Sequence, residues 1–187
     1  MTDLGNPPRV PRRSKLMSAR EAVERFVHDG DSVFLGYTSW ATVLEWEIAR
    51  QRKRHLTPLA TVGSILLPLL GCADRLITAY ALGAQSPYFR ERLEAGEWQI
   101  EDYTNQTVAL MLMAGALGIP FIPTRSMLGS DYLSEKFYPQ PNGFLGENKL
   151  RVMESPFEGE KFVALPALKP DVSCVHVQWA DEEGNAA

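Results

Sequence analysis

The sequence contains few of the residues that build metal centres, disulfide frameworks or membrane spans. Two cysteines and three histidines occur in 187 residues, and Cys72 and Cys174 stand in apolar surroundings without a CxxC pair. We therefore expect no metal, no disulfide and a reducing, cytoplasmic setting. The longest apolar run, around Val108 to Leu117, is far shorter than the roughly 20 residues of a membrane-spanning helix. A soluble protein without a membrane partner is predicted.

Basic charge and the common phosphate-binding motifs are also missing. The formal net charge is -4, so we expect no nucleic-acid partner. Neither GxGxxG nor GxxxxGK[ST] occurs, and there is no GxSxG nucleophile elbow. His28, His55 and His176 are scattered over a helix end, a basic cluster and a strand, so we expect no catalytic histidine. Dinucleotide, P-loop and serine-hydrolase functions lose their main support.

Length and composition predict one folded domain. The chain is long enough for one sizeable core and too short for two comfortable domains. Residues 1–15 carry Arg9, Arg12, Arg13 and Lys15 among several prolines. We expect these residues to form a basic, mobile N-terminal arm. Residues 16–187 then form a single α/β domain.

Helix and strand patterns alternate along this domain. Ser18 and Glu21 have the spacing of a capping box, which predicts the start of the first helix. Helices are predicted over about 19–28, from a cap at Thr38 or Ser39 to about 50, over 87–95 and over 104–117. Strands are predicted near 32–35, 56–62, 74–82, 98–103, 119–124, 150–153, 162–165 and 171–179. The alternation favours an open, mostly parallel sheet flanked by helices.

Loops at the carboxyl ends of parallel strands form the ligand sites of open α/β sheets. Three glycine-containing junctions follow predicted strands, and a fourth loop, from Arg125 to Ser130, follows the strand after the apolar helix. Any one junction is also compatible with an ordinary turn or cap. The candidate substrate-binding residues at these loops are Gly36, Tyr37, Thr38, Ser64, Gln85, Ser86, Met127, Gly129 and Ser130.

The apolar helix itself begins after two acidic residues. Thr104 is its predicted N-cap and Gly118 its predicted stop, and its methionines and leucines predict a core helix or an obligate interface. Glu101 and Asp102 precede it. Glu101 is a weak candidate for acid–base catalysis, and a solvated pair at the helix entrance is the preferred interpretation.

Four stretches together carry a family resemblance. They are SAREAVERFVHDGDSVFLG at 18–36, LEAGEWQIEDYTNQTVALMLMAGALGIPFIPTRSMLGS at 93–130, SPFEGEKFVAL at 155–165 and PDVSCVHVQWADEEGN at 170–185. With them the chain resembles the alpha subunit of family I CoA-transferases, most closely the glutaconate CoA-transferase A type. The resemblance implies an open α/β fold and an obligate hetero-oligomer with a homologous beta subunit.

The resemblance also implies a ping-pong reaction between an acyl-CoA and a carboxylic acid. In this family the thioester is attacked by a glutamate of the beta subunit, which forms first an acyl anhydride and then a glutamyl-CoA thioester. This chain is then expected to supply part of the acyl pocket and no nucleophile, and to be inactive alone. Coenzyme A is a moiety of the substrate, and no permanently bound cofactor is expected.

Two departures and two alternatives accompany the resemblance. Family members usually read Gly-Gly-Phe with a nearby proline where this chain has Gly36-Tyr37-Thr38-Ser39-Trp40, and they continue past the position of Ala187. We therefore expect either a piece of a longer chain or a shortened version with an unprotected last strand. One alternative is a related hydrolase that opens cyclic ketone rings of steroid-derived CoA thioesters and has an alpha-chain glutamate where this chain has Asn105 or Gln106, which weakens this alternative without removing it. The other is a non-catalytic structural subunit.

Overall fold

The structure, a computed structural model, describes residues 14–37, 41–61, 65–80, 86–134 and 143–186. The helices are α1 (Ala19–Phe26), α2 (Thr42–Arg50), α3 (Leu66–Leu69), α4 (Pro87–Glu94) and α5 (Asn105–Ala116). The strands are β1 (Ser32–Phe34), β2 (Thr57–Ala60), β3 (Arg75–Thr78), β4 (Gln99–Asp102), β5 (Phe121–Thr124), β6 (Arg151–Glu154), β7 (Lys161–Pro166) and β8 (Val172–Ser173).

Five strands form a parallel sheet in the order β4-β3-β2-β1-β8. Phe34 lies beside Leu59, Ala60 beside Thr78, and Thr78 beside Asp102. The carboxyl ends of β1 to β4 therefore meet along one edge, which we call the carboxyl edge. The predicted parallel sheet flanked by helices is confirmed.

The other three strands form a second sheet, separate from the parallel one. This sheet is antiparallel, in the order β5-β7-β6. A short turn joins β6 to β7 and contains Gly159 at φ +71°. Such a short connection can join only antiparallel neighbours. β5 lies at an edge, as its Pro123 requires.

Helices cover one face of the parallel sheet, and α5 with the small sheet covers the other. Leu76 and Ile100 pack with Phe89 of α4 on the first face. On the second face, Ile77 packs with Met111 of α5. The apolar helix is buried on one side only, since Met113 and Leu117 of its other side are exposed.

Some predicted element ends are confirmed and others are wrong. Ser18 and Thr104 both form capping boxes at the starts of α1 and α5. α2 starts at Thr42 with Ala41 as its N-cap. The predicted caps, Thr38 and Ser39, lie outside the described residues. β8 covers two residues instead of nine, because its neighbour β1 is itself only three residues long.

Most of the predicted N-terminal arm, residues 1–13, lies outside the described residues. Its last residue contacts the opposite end of the chain, where the Lys15 amide donates to the Glu182 carbonyl oxygen at 2.8 Å. Among the described segments, no helix is long and apolar enough to cross a membrane.

Candidate active site

Buried threonines fix the backbone where it leaves the carboxyl edge. The Thr61 hydroxyl donates to the Tyr37 carbonyl oxygen at 2.6 Å, and the Thr78 hydroxyl accepts from the Tyr80 amide at 3.3 Å. Both threonine side chains are fully buried. Tyr37 and Tyr80 are 43% and 54% exposed. The edge thus presents two aromatic side chains above firmly held strand ends.

The structure describes three of the six predicted residues of the first three junctions. Gly36, at φ +88°, and Tyr37 lie two and three residues after the end of β1. Ser86 is the N-cap of α4, without a hydrogen bond from its side chain to the helix. The other three candidates, Thr38, Ser64 and Gln85, lie outside the described residues.

The fourth loop divides its predicted residues between core and surface. Met127, at φ +79°, is 7% exposed and belongs to the core cluster that includes Tyr103 and Leu150. Gly129 and Ser130 are exposed. The Ser130 hydroxyl donates to the Met127 carbonyl oxygen at 2.6 Å, closing the turn. Of the three predicted residues of this loop, Gly129 and Ser130 are thus the exposed ones.

Glu101 is not solvated, and the expectation that it forms an exposed pair with Asp102 is wrong. It is 1% exposed, and its Oε1 accepts from the backbone amides of Phe144 and Leu145, each at 2.6 Å. Its Oε2 lies 3.4 Å from Lys149 Nζ. A later loop, rather than water, thus satisfies Oε1, while Oε2 has, among the described residues, only the ion pair with Lys149.

Lys149 is the second member of this buried cluster. Its Nζ donates to the Asp102 carbonyl oxygen at 2.7 Å and lies 4.8 Å from the centre of the Tyr103 ring. The Tyr103 hydroxyl donates back to the Lys149 carbonyl oxygen at 3.2 Å. Burial lowers the pKa of Lys149, and the Glu101 and Asp102 charges oppose that shift. Lys149 stands in an irregular stretch without periodicity, so the sequence offered no signal for its role.

Asp102 faces a different partner. The Tyr132 hydroxyl donates to Asp102 Oδ2 at 2.9 Å. Burial raises the pKa of Asp102, and the hydrogen bond from Tyr132 opposes this shift. Burial and the nearby carboxylate also raise the pKa of the Tyr132 phenol. Tyr132 lies in the short 3-10 turn Asp131–Leu133, directly after the fourth loop.

Other candidate centres lie away from the carboxyl edge. No group of three or more potential ligands in the described segments could hold a metal ion. His28 and His55 lie near the amino ends of β1 and β2 and pair with Asp31 and Asp74 at 3.5 and 3.4 Å. A mainly apolar groove of about 560 Å³ lies between β5 and the β6–β7 turn on the small sheet.

Comparison with known proteins identifies the family. The sequence model of the family described as Coenzyme A transferase matches residues 16–187. This chain belongs to the coenzyme A transferase family. The match covers the parallel sheet, the small antiparallel sheet and the clustered residues of the carboxyl edge.

Three similar proteins illustrate the range of this family. The A-type subunit of 3-oxoadipate CoA-transferase from Pseudomonas knackmussii is 35% identical over 92% of this chain and 61% of its own length. The crystal structure of glutaconate coenzyme A-transferase from Acidaminococcus fermentans superposes with a TM-score of 0.78 and 30% identity, over 92% of this chain and 59% of that one. The cholesterol ring-cleaving hydrolase IpdA subunit of Rhodococcus jostii is 29% identical over 95% of this chain and 61% of its own length. The chain thus spans less than two thirds of the length of each of these relatives.

Proposed function

We propose that this chain is the alpha-type part of a two-chain CoA-transferase. The enzyme moves CoA between an acyl-CoA thioester and a carboxylic acid, and a homologous beta subunit supplies the nucleophilic glutamate. The family membership and the likeness to the A-type subunits of two CoA-transferases support this assignment.

The distribution of carboxylates is the observation that carries the division of labour. The stretches that follow β1, β2 and β3, residues 35–41, 61–65 and 79–86, contain neither aspartate nor glutamate. The carboxylates at the end of β4 are Glu101, which is buried among its partners, and Asp102, which accepts from Tyr132. A nucleophile needs an accessible carboxylate oxygen, and the ends of β1 to β4 offer none, so we place the nucleophile on the partner chain. Among the described residues of the β5–β6 connection, the exposed carboxylates are Asp131, an aspartate, and Glu147, which lies 3.6 Å from Arg151 Nη2.

The proposed reaction has two halves. A carboxylate oxygen of the partner's glutamate attacks the thioester carbonyl carbon, CoA leaves as a thiolate, and an acyl-glutamyl anhydride forms. The thiolate then attacks the glutamyl carbonyl carbon, which releases the acyl group as a free carboxylate and leaves a glutamyl-CoA thioester. A second carboxylic acid repeats these steps in reverse and departs as its CoA thioester. This chain contributes the acyl-facing wall with Tyr37, Gly129 and Ser130.

The names of the relatives suggest the first acids to test. Both 3-oxoadipate and glutaconate are dicarboxylic acids. We therefore propose a dicarboxylic acyl group as the substrate class. CoA transfer is measured with these acids as acceptors and acetyl-CoA or succinyl-CoA as donors, using this chain alone, the isolated beta subunit, or the two together. Transfer by the two chains together, and by neither chain separately, supports the proposal. Transfer by this chain without the beta subunit would refute it.

The ring-opening hydrolase is the second candidate because a relative with that name covers most of the chain. Glu101 is buried and paired with Lys149, which weakens the hydrolase assignment, since a general base must reach its substrate. The two enzymes differ in the second substrate. A hydrolase consumes water and a cyclic ketone thioester, whereas a transferase stops without an acceptor acid. A complex that shows neither reaction would favour a structural subunit.

A further inference from the structure

We propose that Glu101 and Asp102 are two independent positioning residues, each of which holds one arm of the loop that carries the acyl-facing wall. The first arm is residues 126–134, and the second arm is residues 143–149. Both belong to the long connection between β5 and β6, and both return to the end of the edge strand β4. The proposal rests on the proposed function only for its effect on catalysis.

Glu101 holds the second arm through three contacts. Its Oε1 accepts from the amides of Phe144 and Leu145, and its Oε2 lies within an ion-pair distance of Lys149. The Phe144 ring also lies 5.3 Å from the Arg75 guanidinium. One nearly buried carboxylate therefore fixes both ends of this short arm against the sheet.

Asp102 holds the first arm through the Tyr132 hydroxyl. The Tyr132 hydroxyl reaches its Oδ2, while the Tyr132 ring packs against the core cluster of Tyr103 and Met127. In this arm the amide of Leu133 also donates to the Ser130 carbonyl oxygen at 3.2 Å. A shift of Tyr132 would therefore also move the exposed turn at Gly129 and Ser130.

The two carboxylates hold different arms because they leave β4 on opposite sides, as successive side chains of a strand do. Glu101 pairs in register with Ile77, whose side chain lies in the α5 face, whereas Asp102 pairs with Thr78. One carboxylate therefore cannot replace the other. A link remains through Lys149, whose Nζ donates to the Asp102 backbone carbonyl and whose pKa the Asp102 charge also affects.

Hydrogen–deuterium exchange separates the two anchors without any enzymatic assay. Tyr132→Phe removes one hydroxyl and leaves the ring, and Glu101→Gln removes the charge at constant shape. We expect Tyr132→Phe to speed amide exchange in residues 126–134 about tenfold and to leave 143–149 within twofold, because a hydrogen bond to a charged group is worth about that factor. Glu101→Gln should have the reverse pattern. Tyr88→Phe and Glu158→Gln, at exposed positions, are the matched controls.

Kinetics of the two-chain complex test the catalytic consequence. We expect Tyr132→Phe to raise the KM for the acceptor acid at least threefold with kcat within twofold, since it misplaces a binding wall and removes no reacting group. Equal exchange in both arms for either variant, or no change, would overturn the independent anchors. Normal kinetics with faster exchange would overturn the link to the acyl wall. If the wild-type complex transfers no CoA, the proposed function fails, while the exchange pattern still decides the anchoring.

Discussion

Lys149 Nζ lies 3.4 Å from Glu101 Oε2, and the two side chains are 3% and 1% exposed. The pair joins an edge strand of the parallel sheet to a loop that follows the fifth strand. An ion pair removed from water stabilises a structure only when other polar contacts satisfy both charges. Here two backbone amides donate to Glu101 Oε1 and a backbone carbonyl accepts from Lys149 Nζ, whereas Glu101 Oε2 has only the ion pair within the described segments.

Removal of one member of this pair should destabilise the protein strongly. We expect Lys149→Met to lower the free energy of unfolding by about 3–5 kcal/mol, because Glu101 then remains buried without its countercharge. Urea unfolding of the variant, compared with the wild type, measures this loss. Adding Glu101→Gln to Lys149→Met should recover part of it.

The control for this prediction is an exposed pair of the same charge type. Arg151 Nη2 lies 3.6 Å from Glu147 Oε2, and both side chains are more than half exposed. Arg151→Met should cost no more than about 1 kcal/mol. Similar losses for the buried and the exposed pair would contradict the importance assigned to burial.

Gly115 marks the closest approach between α5 and the segment before β8. A Cβ atom at this position would lie 1.9 Å from the Leu168 carbonyl oxygen. Helix propensity alone favours alanine over glycine by about 1 kcal/mol, but overpacking against backbone costs about 1–3 kcal/mol or more. We expect Gly115→Ala to lower the melting temperature and the free energy of unfolding.

The neighbouring Ala116 provides the reference for Gly115. It lies in the same helix on the exposed side. Ala116→Gly should cost about 1 kcal/mol from propensity alone. A Gly115→Ala variant that is more stable than the wild type would show that the segment at Leu168 moves without cost.

Asp171 makes stability depend on pH at the start of β1. Its Oδ2 accepts from the Ser32 hydroxyl at 2.7 Å and from the Ser32 amide at 2.8 Å. The Ser32 hydroxyl first, and then the Ser32 amide, lower the pKa of Asp171. Because the pKa falls on folding, the ionised group stabilises the fold above about pH 4, its unfolded pKa, and this contribution is lost as the pH falls through the lower folded value.

Asp171→Asn should therefore be less stable than the wild type at pH 7, and the difference should shrink below about pH 4. Urea unfolding at several pH values between neutral and acid measures it. Asp131→Asn, at an exposed site, is the matched control. A difference between wild type and Asp171→Asn that is constant across this range would contradict the assigned hydrogen bonds.

The two thiols should react slowly in the folded protein. Burial, with a smaller contribution from Glu45, raises the pKa of Cys174 to about 11, and burial also raises the pKa of Cys72. At pH 8 the thiolate fraction of Cys174 is then about two orders of magnitude below that of a free cysteine. A colorimetric disulfide reagent should label both residues only after denaturant is added. Prompt labelling of the native protein would contradict their burial.

Local sequence patterns predicted the framework because its causes are local. The capping boxes at Ser18 and Thr104 depend on residues three positions apart, and both are confirmed. The alternation of helices with apolar strands correctly indicated a parallel sheet. It could not show that β5, β6 and β7 leave that sheet, because strand pairing is decided by contacts between distant segments.

The contacts of the clustered residues at the carboxyl edge also join distant segments, so the sequence could not predict them. Glu101 next to a helix start has the pattern of a solvated side chain, and it is buried only because Phe144, Leu145 and Lys149 return to it. Tyr132 lies in an irregular stretch whose partner, Asp102, is equally distant. Of the predicted substrate contacts, Met127 lies in the core, whereas Gly129 and Ser130 stay predictions.

The position of the covalent CoA adduct is the most direct measurement. The two-chain complex is incubated with acyl-CoA and then treated with borohydride, which reduces a glutamyl thioester to an alcohol, and the separated chains are weighed by mass spectrometry. We expect one modified glutamate on the partner chain and an unmodified mass for this chain. A reduced glutamate on this chain would contradict the proposed division of labour. So would a complex that transfers CoA but shows no reduced glutamate on either chain.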